Sequence, residues 1–407
     1  MKNILILLFI PLTFSYTFSQ NNKENIIEKM REDIGYLASD KLQGRKTGTH
    51  GEKMAARYIS NKFKEHGLIQ KGNKGYFQSF KTTINQNPHS NQKNKTIKGL
   101  NVIGFCDNKQ EETIIIGAHY DHLGKGEYGS LYTGKKEIHN GADDNASGVS
   151  ILINLIDTLC DNNLYNYLFI AFSGEEIGLL GSSYFAKNPT IELNKVKFML
   201  NFDMVGRLNK NKELAINGVG TSNKWKELIQ TSNNFNFKLI TSDSGVGPSD
   251  HTSFYLQDIP VLHFFTGQHE DYHKPTDDIE KINFNGMFSI ISYVNNIIKE
   301  SSEITNFHFQ ETVSDTTQTP KFSVTLGIMP DYLYDGGDGL RIDGVTKGKT
   351  AYKYGILKGD IVVKIGSVKV NDIMDYMQGL SEFQKGDSTI IKLKRDKDII
   401  DIPIIFH

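Results

Sequence analysis

Several apolar runs of this chain end in a histidine or lead into a carboxylate. The run TIIIGAH ends at His119, and YNYLFIAF is followed within four residues by Glu175 and Glu176. The run VKFMLNF leads directly into Asp203. Because such unalternating apolar runs are typical of buried parallel strands, we expect their polar ends to meet at one edge of a sheet.

Two further segments carry the same kinds of side chain. Asp143 and Asp144 stand just before a predicted helix, and VLHFFTGQHEDYH runs on to His273. Imidazoles and carboxylates suit divalent zinc, and on geometry alone cobalt or manganese. Two histidines and three carboxylates make five ligands, which is more than one tetrahedral zinc needs. Two ions bridged by one carboxylate and one water use all five. Glu175 is then left to take a proton from that water.

Strand and helix patterns alternate along most of the chain. Helical spacing over Asn25 to Leu37, over Met54 to His66 and from Ser147 accompanies the apolar runs, and Phe284 to Lys299 predicts a closing helix. This alternation predicts an α/β fold with a mostly parallel central sheet and helices on both faces.

The chain has 407 residues, which favours two domains. We predict an α/β domain over residues 21–302, a polar Thr/Ser-rich linker over 303–320 and a small β-rich domain over 321–407. The formal net charge of −1 argues against nucleic acid as a partner.

Residues 1–20 have the pattern of a secretory signal peptide, with Lys2 before a short apolar stretch. The protein is therefore expected to be secreted or periplasmic, with an uncleaved anchor as the alternative. Beyond this stretch there is no apolar run of about 18 residues, so no membrane span is expected in the mature chain. Cys106 and Cys160 are the two cysteines, and both a disulfide and a pair of buried thiols remain open.

Five motifs resemble those of a known family. GAHYDHLG, NGADDNASG, FSGEEIGLLGS, NFDMVGR and DYHKPTDD are similar, in order and spacing, to the secreted di-zinc aminopeptidases (metallopeptidase family 28, aminopeptidase Y type, clan MH). The resemblance covers most of residues 25 to 300. It implies an exopeptidase that holds two zinc ions, acts on peptides or protein N-termini, and attacks the first peptide bond with a metal-bridging hydroxide.

The resemblance also implies residue roles. The expected metal ligands are His119, Asp144, Glu176, Asp203 and His273. Asp144 is expected to bridge the two ions and to precede a cis peptide bond. Asp121 would orient the imidazole of His119, Glu175 would be the general base, and Tyr272 is either an oxyanion donor or an ordinary loop tyrosine.

The remaining histidines receive no metal in this interpretation. His122 lies three residues after His119, but the set of five ligands is already complete without it. His251, in SDHTSF, is expected to begin a helix or to lie behind the ligands. No role is assigned to His139, His263 or His269.

The C-terminal segments VTLGIMPDY, YGILKGDIVVKIGSVKV and GLSEFQKGDSTIIKLKR resemble a bacterial PDZ domain. The family's carboxylate-binding loop would fall at Leu326, Gly327 and Ile328, where a peptide C-terminus would add a strand to the sheet edge. A purely structural module is the alternative.

Two other functions remain open at this stage. One is a zinc-dependent glutaminyl cyclase on the same fold; such cyclases lack the first metal-binding histidine, which is present here as His119. The other is a non-catalytic binding protein that acts through its PDZ-like domain.

Overall fold

The computed structural model describes residues 12–84, 95–127, 129–305, 307–312, 324–331, 334, 336, 338–345, 348–371 and 373–406. These residues form two sheets, one within the predicted α/β domain and one within the C-terminal segment. Within the described part of the chain, every helix is too short or too polar to cross a membrane.

The first sheet contains nine strands among the described residues. They are β1 (Ile69–Gln70), β2 (Phe77–Ile84), β3 (Lys95–Cys106), β4 (Thr113–His119), β5 (Asn166–Phe172), β6 (Val196–Phe202), β7 (Glu213–Asn217), β8 (Lys238–Ser242) and β9 (Val261–Phe265). Their spatial order is β1-β3-β5-β4-β6-β9-β7-β8, and β2 pairs with β3. The four central strands, β5, β4, β6 and β9, are parallel, whereas β3 and β7 join them antiparallel.

The helices of this unit are α1 (Leu12–Leu37), α2 (His50–Glu65), α3 (Gly148–Asn154), α4 (Ile156–Asp161), α5 (Leu180–Lys187), α6 (Trp225–Thr231), α7 (His251–Tyr255) and α8 (Phe284–Ser301). Every residue of β4 and β5 is buried. Ile114 and Ile116 lie in one apolar core, while Ile115 lies in another. Since successive side chains of a strand point to opposite faces, both faces of the sheet are covered. This confirms the predicted α/β fold with a covered central sheet.

Part of the predicted linker contacts the α/β unit. The ring of Phe307 lies 4.5 Å from that of Trp225 and 5.2 Å from that of Phe198, measured between centroids. The N–H of Gln310 donates to the carbonyl of Thr221 at 2.8 Å. Residues 307–312 therefore pack against the α/β unit, because their aromatic side chains complete its core. Residues 313–320 of the predicted linker lie outside the described residues.

Cys106 and Cys160 form a disulfide, with their Cα atoms 6.0 Å apart. The bond joins the end of β3 to α4, across a sequence separation of 54. Of the two alternatives left open by the sequence, the structure adopts the paired one.

The C-terminal sheet is antiparallel and smaller. Its strands are β10 (Ile328–Pro330), β11 (Leu340–Val345), β12 (Ile361–Ile365), β13 (Val368–Lys369), β14 (Ser388–Arg395) and β15 (Asp398–Ile405), accompanied by helices α9 (Thr350–Lys353) and α10 (Ile373–Ser381). The order is β10-β11-β12-β14-β15, with β13 beside β12. Leu326, Ile342, Val362, Ile391 and Leu393 are among the residues of its own apolar core. The small β-rich module predicted from the sequence is thus present.

Candidate metal centre

The sheet topology brings the predicted polar strand ends together. His119 is the last residue of β4, Glu175 and Glu176 follow β5, and Asp203 follows β6 directly. These three strands are parallel neighbours, so their carboxyl ends lie at the same edge of the sheet. Asp144 comes to this edge from the distorted helical turn Ala142–Ser147 before α3, and His273 comes from a turn after β9. The peptide bond between Asp144 and Asn145 is cis, as expected.

A first group of donor atoms is formed by His119, Asp144 and Asp203, whose ligand atoms lie within 4.8 Å of one another. Nε2 of His119 is 3.2 Å from Oδ1 of Asp203 and 3.4 Å from Oδ1 of Asp144. The opposite nitrogen, Nδ1, is 3.2 Å from the carbonyl oxygen of Asp121. That contact fixes the ring so that Nε2 faces the carboxylates.

A second group shares Asp144 with the first and contains Glu176 and His122. Nε2 of His273 lies 3.2 Å from Oδ2 of Asp144 and 3.3 Å from Oε2 of Glu176. Nδ1 of His273 is 2.9 Å from the carbonyl oxygen of Gly129, which orients this ring in turn. All five expected ligands therefore lie at one place, and the two oxygens of Asp144 face different histidines.

The structure adds His122 to this second group. Its Nδ1 lies 2.7 Å from Oε1 of Glu176 and 3.8 Å from Oδ2 of Asp144. Its Nε2 is buried and has no hydrogen-bond partner among the described residues. His122 therefore either holds the carboxylate of Glu176 or offers a sixth donor. In the sequence, the only feature that pointed to His122 as a possible donor was its three-residue separation from His119.

Electrostatics favour positive charge at the centre. Burial alone would lower the pKa of His119, but the neighbouring carboxylates of Asp203, Glu175 and Asp144 outweigh it and raise that pKa well above its ordinary value. Burial opposes ionisation of Glu176, yet His273 and His122 lower its pKa to about 2. The buried carboxylates thus favour positive charge beside them, and bound metal ions would provide the same compensation. The donor set of imidazole nitrogens and carboxylate oxygens fits zinc.

Asp121 contacts His119 through its main chain and not through its carboxylate. Its carboxylate Oδ1 is 3.8 Å from Nδ1 of His119, too long for a hydrogen bond. The carboxylate instead accepts from the hydroxyl of Thr47 at 2.8 Å and from the backbone N–H of Glu175 at 3.1 Å. Asp121 therefore orients His119 through its main-chain carbonyl and holds the Glu175 loop through its side chain.

Glu175 is the predicted base. Its Oε2 lies 4.0 Å from Nε2 of His119, at the edge of the first donor group. Burial, aided by the charges of Asp203 and Glu176 and opposed by His119, raises the pKa of Glu175 well above its ordinary value. A carboxyl group with a raised pKa is suited to hold a proton between acceptance and release.

Two buried charges that position the ligands were not found from the sequence. The guanidinium of Arg45 donates to the carbonyl oxygens of Leu37, Tyr120, Asn140 and Gly141. It therefore ties the chain after His119 to the loop before Asp144.

Asp277, in the DYHKPTDD motif, is the second such charge. Its carboxylate accepts from the backbone N–H groups of Asp143 and Asp144 at 3.0–3.1 Å. The neighbouring Asp143 itself accepts from Gly206 at 2.6 Å and lies 3.1 Å from Nε2 of His269. Asp143 is therefore a neighbour that supports the loop, and the two donor groups contain Asp144 instead.

Tyr272 is placed beside the expected ligand His273. The Tyr272 ring stacks on the ring of His273 with centroids 3.9 Å apart, and Tyr272 lines the pocket beside the donor groups. His251 begins α7, as expected.

The expected PDZ loop lies at the start of β10. The side chain of Leu326 is buried in the C-terminal core, and its carbonyl oxygen accepts from the N–H of Ala351 at 2.7 Å. Gly327 has φ +72°, a left-handed conformation that suits glycine, and Ile328 pairs with Val345.

Comparison with known proteins agrees with this geometry. Residues 101–297 match the model of Peptidase family M28. Aminopeptidase YwaD of Bacillus subtilis (strain 168) is 29% identical over 230 residues, which is 53% of this chain and 46% of that protein. A probable leucine aminopeptidase of Arthroderma otae is 27% identical over 205 residues, 47% of this chain and 54% of that protein. The chain spans about half the length of these curated relatives.

Two solved structures share the fold. A zinc aminopeptidase from Bacillus subtilis has a TM-score of 0.52 at 20% identity and covers 68% of this chain and 95% of its own. A glutaminyl cyclase from Bacteroides thetaiotaomicron, bound to N-acetylhistamine, has a TM-score of 0.53 at 16% identity. The match covers 67% of this chain and 97% of the cyclase chain. At these identities the likeness concerns the fold alone. The match of residues 101–297 to Peptidase family M28, together with the aminopeptidase relatives, supports a zinc aminopeptidase family for the α/β unit of this chain.

Proposed function

We propose that this protein is a co-catalytic di-zinc aminopeptidase that removes N-terminal residues from peptides. The observation that carries the proposal is the shared position of Asp144 between two donor groups. His119 and Asp203 would hold one zinc, Glu176 and His273 the other, and Asp144 would bridge them. Bound zinc would polarise the substrate carbonyl and lower the pKa of water; cobalt or manganese suits the same donors.

The chain's own residues supply the proton transfers. Glu175 would accept the proton of the attacking water at its carboxylate and pass it to the nitrogen of the leaving amine. Asp121 holds the backbone of Glu175 in place for this role. Tyr272, which lines the pocket, would orient the substrate or donate to the developing oxyanion.

Glutaminyl cyclase activity is the second candidate, favoured by the shared fold of a solved cyclase. A complete first donor group containing His119 favours the peptidase instead, because the cyclases lack the first metal-binding histidine. A non-catalytic binding protein is the third candidate. It would not need the general base Glu175 beside a full ligand set.

One experiment separates these functions. Zinc content per chain is measured by elemental analysis, and hydrolysis of aminoacyl-anilides is assayed with and without a chelator, using N-acetylated anilides as the control. Two zinc ions and chelator-sensitive cleavage of the free-amine substrates alone support the aminopeptidase. One zinc ion and conversion of N-terminal glutamine to pyroglutamate would support the cyclase, and absence of turnover in the zinc-loaded protein would support the binding protein.

We further propose that the C-terminal module binds a peptide C-terminus at Leu326, Gly327 and Ile328. This idea is supported by the position of β10 at an edge of the sheet that the described residues form, where a peptide strand can be added. Fluorescence anisotropy with free-acid and amidated versions of one peptide library tests it, since equal binding of both forms would contradict carboxylate recognition. Export through cleavage near Ser19 or Gln20 is likewise proposed, and N-terminal sequencing of the exported protein tests it.

A further inference from the structure

The loop of residues 129–139 contacts the candidate ligand His273 at both its side chain and its main chain. The carbonyl oxygen of Gly129 lies 2.9 Å from Nδ1 of His273, and the backbone N–H of Leu131 donates to the carbonyl oxygen of His273 at 3.0 Å. With Nδ1 facing that acceptor, Nε2 of the same ring faces the carboxylates of the second donor group. The orientation of the ring therefore depends on a loop that contains none of the expected ligands.

The backbone of His273 needs these contacts. Its φ is +53°, in the left-handed region, which is uncommon for residues other than glycine. Such a conformation persists only where neighbouring contacts hold it. The hydrogen bonds with Gly129 and Leu131 are contacts of this kind, because one binds the side chain of His273 and the other its main chain. Loss of these contacts would release the ring from its position beside the carboxylates.

Ser130 lies between these two contact residues, and its hydroxyl group has two partners. Oγ of Ser130 lies 2.8 Å from Nε2 of His139, and it accepts from the backbone N–H of Tyr132 at 3.0 Å. Nδ1 of His139 is 3.0 Å from the carbonyl oxygen of Glu137, which can only accept, so Nδ1 carries a proton. Burial lowers the pKa of His139 and favours the neutral ring. Nε2 of His139 is then the acceptor of the Ser130 hydroxyl.

The residues around His139 fix its ring in turn. The residue is buried, with 1% of its surface exposed. Its backbone N–H donates to the carbonyl oxygen of Gly124 at 2.8 Å. Gly126 packs so closely that the Cβ atom of any other residue at this position would lie 2.4 Å from Cε1 of the His139 ring. The hydrogen bond between Ser130 and His139 therefore ties the loop to a buried and closely packed part of the chain.

We propose that Ser130 and His139 are positioning residues for the zinc ion assigned to His273. Their hydrogen bond fixes the backbone of the loop between Gly129 and Leu131. These two residues fix the ring of His273, which then presents Nε2 to the ion. Neither Ser130 nor His139 would touch the ion or the substrate.

This arrangement makes the two zinc sites respond differently to changes in the loop. His119, a candidate ligand of the other ion, is oriented by the carbonyl oxygen of Asp121, which lies outside the loop. Loosening of the loop should therefore weaken the site of His273 and spare the site of His119. The inference rests on the proposed di-zinc function and makes it more specific.

The test measures the two stepwise zinc affinities of the full chain by titration against a competing chelator. Ser130→Ala removes the hydroxyl, and we expect one affinity to fall by about 10–100-fold, the usual effect of losing a group that orients a metal ligand, while the other is unchanged. His139→Phe should have the same effect, whereas Ser130→Thr keeps the hydroxyl and should keep both affinities. Ser302→Ala is the matched control, because it also loses a hydroxyl hydrogen bond, to the carbonyl of Lys299 at the end of α8.

A double-mutant cycle shows whether Ser130 acts through His273. In a His273→Ala background, Ser130→Ala should have no further effect on zinc affinity, because the ring that the loop positions is absent. An effect of equal size in both backgrounds would overturn the inference. It would also be overturned by an equal fall of both affinities, or by unchanged affinities in both the Ser130→Ala and the His139→Phe proteins.

Failure of the inference can be told from failure of the proposed function, since none of these measurements depends on peptide hydrolysis. If the parent protein binds fewer than two zinc ions, the di-zinc proposal fails, and hydrogen exchange of the Leu131 amide in the metal-free protein decides the positioning role alone. Exchange that is faster by about tenfold or more in Ser130→Ala supports the role, because this N–H is bonded to His273. An unchanged exchange rate would overturn it.

Discussion

The backbone N–H of Glu175 donates a hydrogen bond to the carboxylate of Asp121 at 3.1 Å. Asp121 lies two residues after His119, and its carbonyl oxygen is the group that faces Nδ1 of that histidine. One residue therefore connects the candidate base to the first candidate ligand. The connection joins the ends of β4 and β5, which are parallel neighbours.

This connection predicts a graded effect of changes at Asp121. Asp121→Ala removes the acceptor of both Glu175 and Thr47, and we expect a loss of about 10–100-fold in activity or zinc affinity. Asp121→Asn keeps one acceptor and should lose less. Thr47→Val removes only the second hydrogen bond and serves as the control. Steady-state kinetics and zinc titration measure both quantities, and an Asp121→Ala protein with parental values for both would contradict the positioning role.

Glu175 and Glu176 are adjacent in sequence but differ in their contacts. Glu176 contacts His122 and His273, whereas Glu175 lies 4.0 Å from His119 and belongs to neither donor group. We expect Glu175→Gln to keep its zinc and to lose about 10²–10⁴-fold in kcat, since the proton carrier is gone. Glu176→Gln should instead lower the zinc content. Near-parental turnover by the Glu175→Gln protein would show that another group is the base.

The buried guanidinium of Arg45 predicts an effect on stability as well as on the site. Lysine keeps the charge but cannot reach four carbonyl oxygens in one plane, so Arg45→Lys leaves buried acceptors unpaired. We expect the free energy of unfolding to fall by roughly 3 kcal/mol, an order-of-magnitude value for leaving buried acceptors unpaired. Arg31→Lys is the matched control, because the Arg31 side chain is 52% exposed. Equal unfolding free energies of the two variants in urea would contradict this account.

Sequence patterns could locate the candidate site residues that lie at the ends of strands. Apolar runs end at His119 or are followed by Glu175, Glu176 and Asp203. Because the carboxyl ends of buried parallel strands lie at one edge of the sheet, these side chains could be placed there. Asp144 lies in a distorted helical turn and His273 in a turn after β9, and their roles came from the resemblance rather than from the strand pattern. The antiparallel strands at the edges of the sheet were not predicted. The residues of a short apolar run do not indicate whether its strand is parallel or antiparallel to its neighbours.

Arg45 and Asp277 could not be located in the same way. Arg45 lies 75 residues before Tyr120 and 96 before Gly141, and its partners are backbone carbonyls, which every residue has. Asp277 likewise binds backbone N–H groups more than 130 residues away. Contacts of a side chain with distant main chain leave no pattern of residue types in the sequence. Such supporting groups become visible only when the fold is known.

A last prediction concerns Asp33, which is remote from the metal centre in its contacts. Its carboxylate accepts from the hydroxyl of Tyr58 at 2.7 Å and from the amide of Asn154 at 3.0 Å. Burial, only partly opposed by these hydrogen bonds and by Lys62, raises the pKa of Asp33 from 3.8 to about 6. Between these two values the unfolded chain is ionised at Asp33 while the folded chain still holds the proton.

The contribution of Asp33 to stability is therefore fully present below its ordinary pKa and is lost as pH rises through about 6. Asparagine does not titrate, so the stability of the parent relative to Asp33→Asn should fall by about 2 kcal/mol between pH 4.5 and pH 8. Urea unfolding of both proteins at the two pH values, in a chelator so that zinc linkage is absent, measures this difference. Asp161→Asn, at an exposed aspartate, should show no comparable change. A parent that gains stability relative to Asp33→Asn as pH rises would show that the folded state prefers the ionised carboxylate, opposite to the direction that burial imposes.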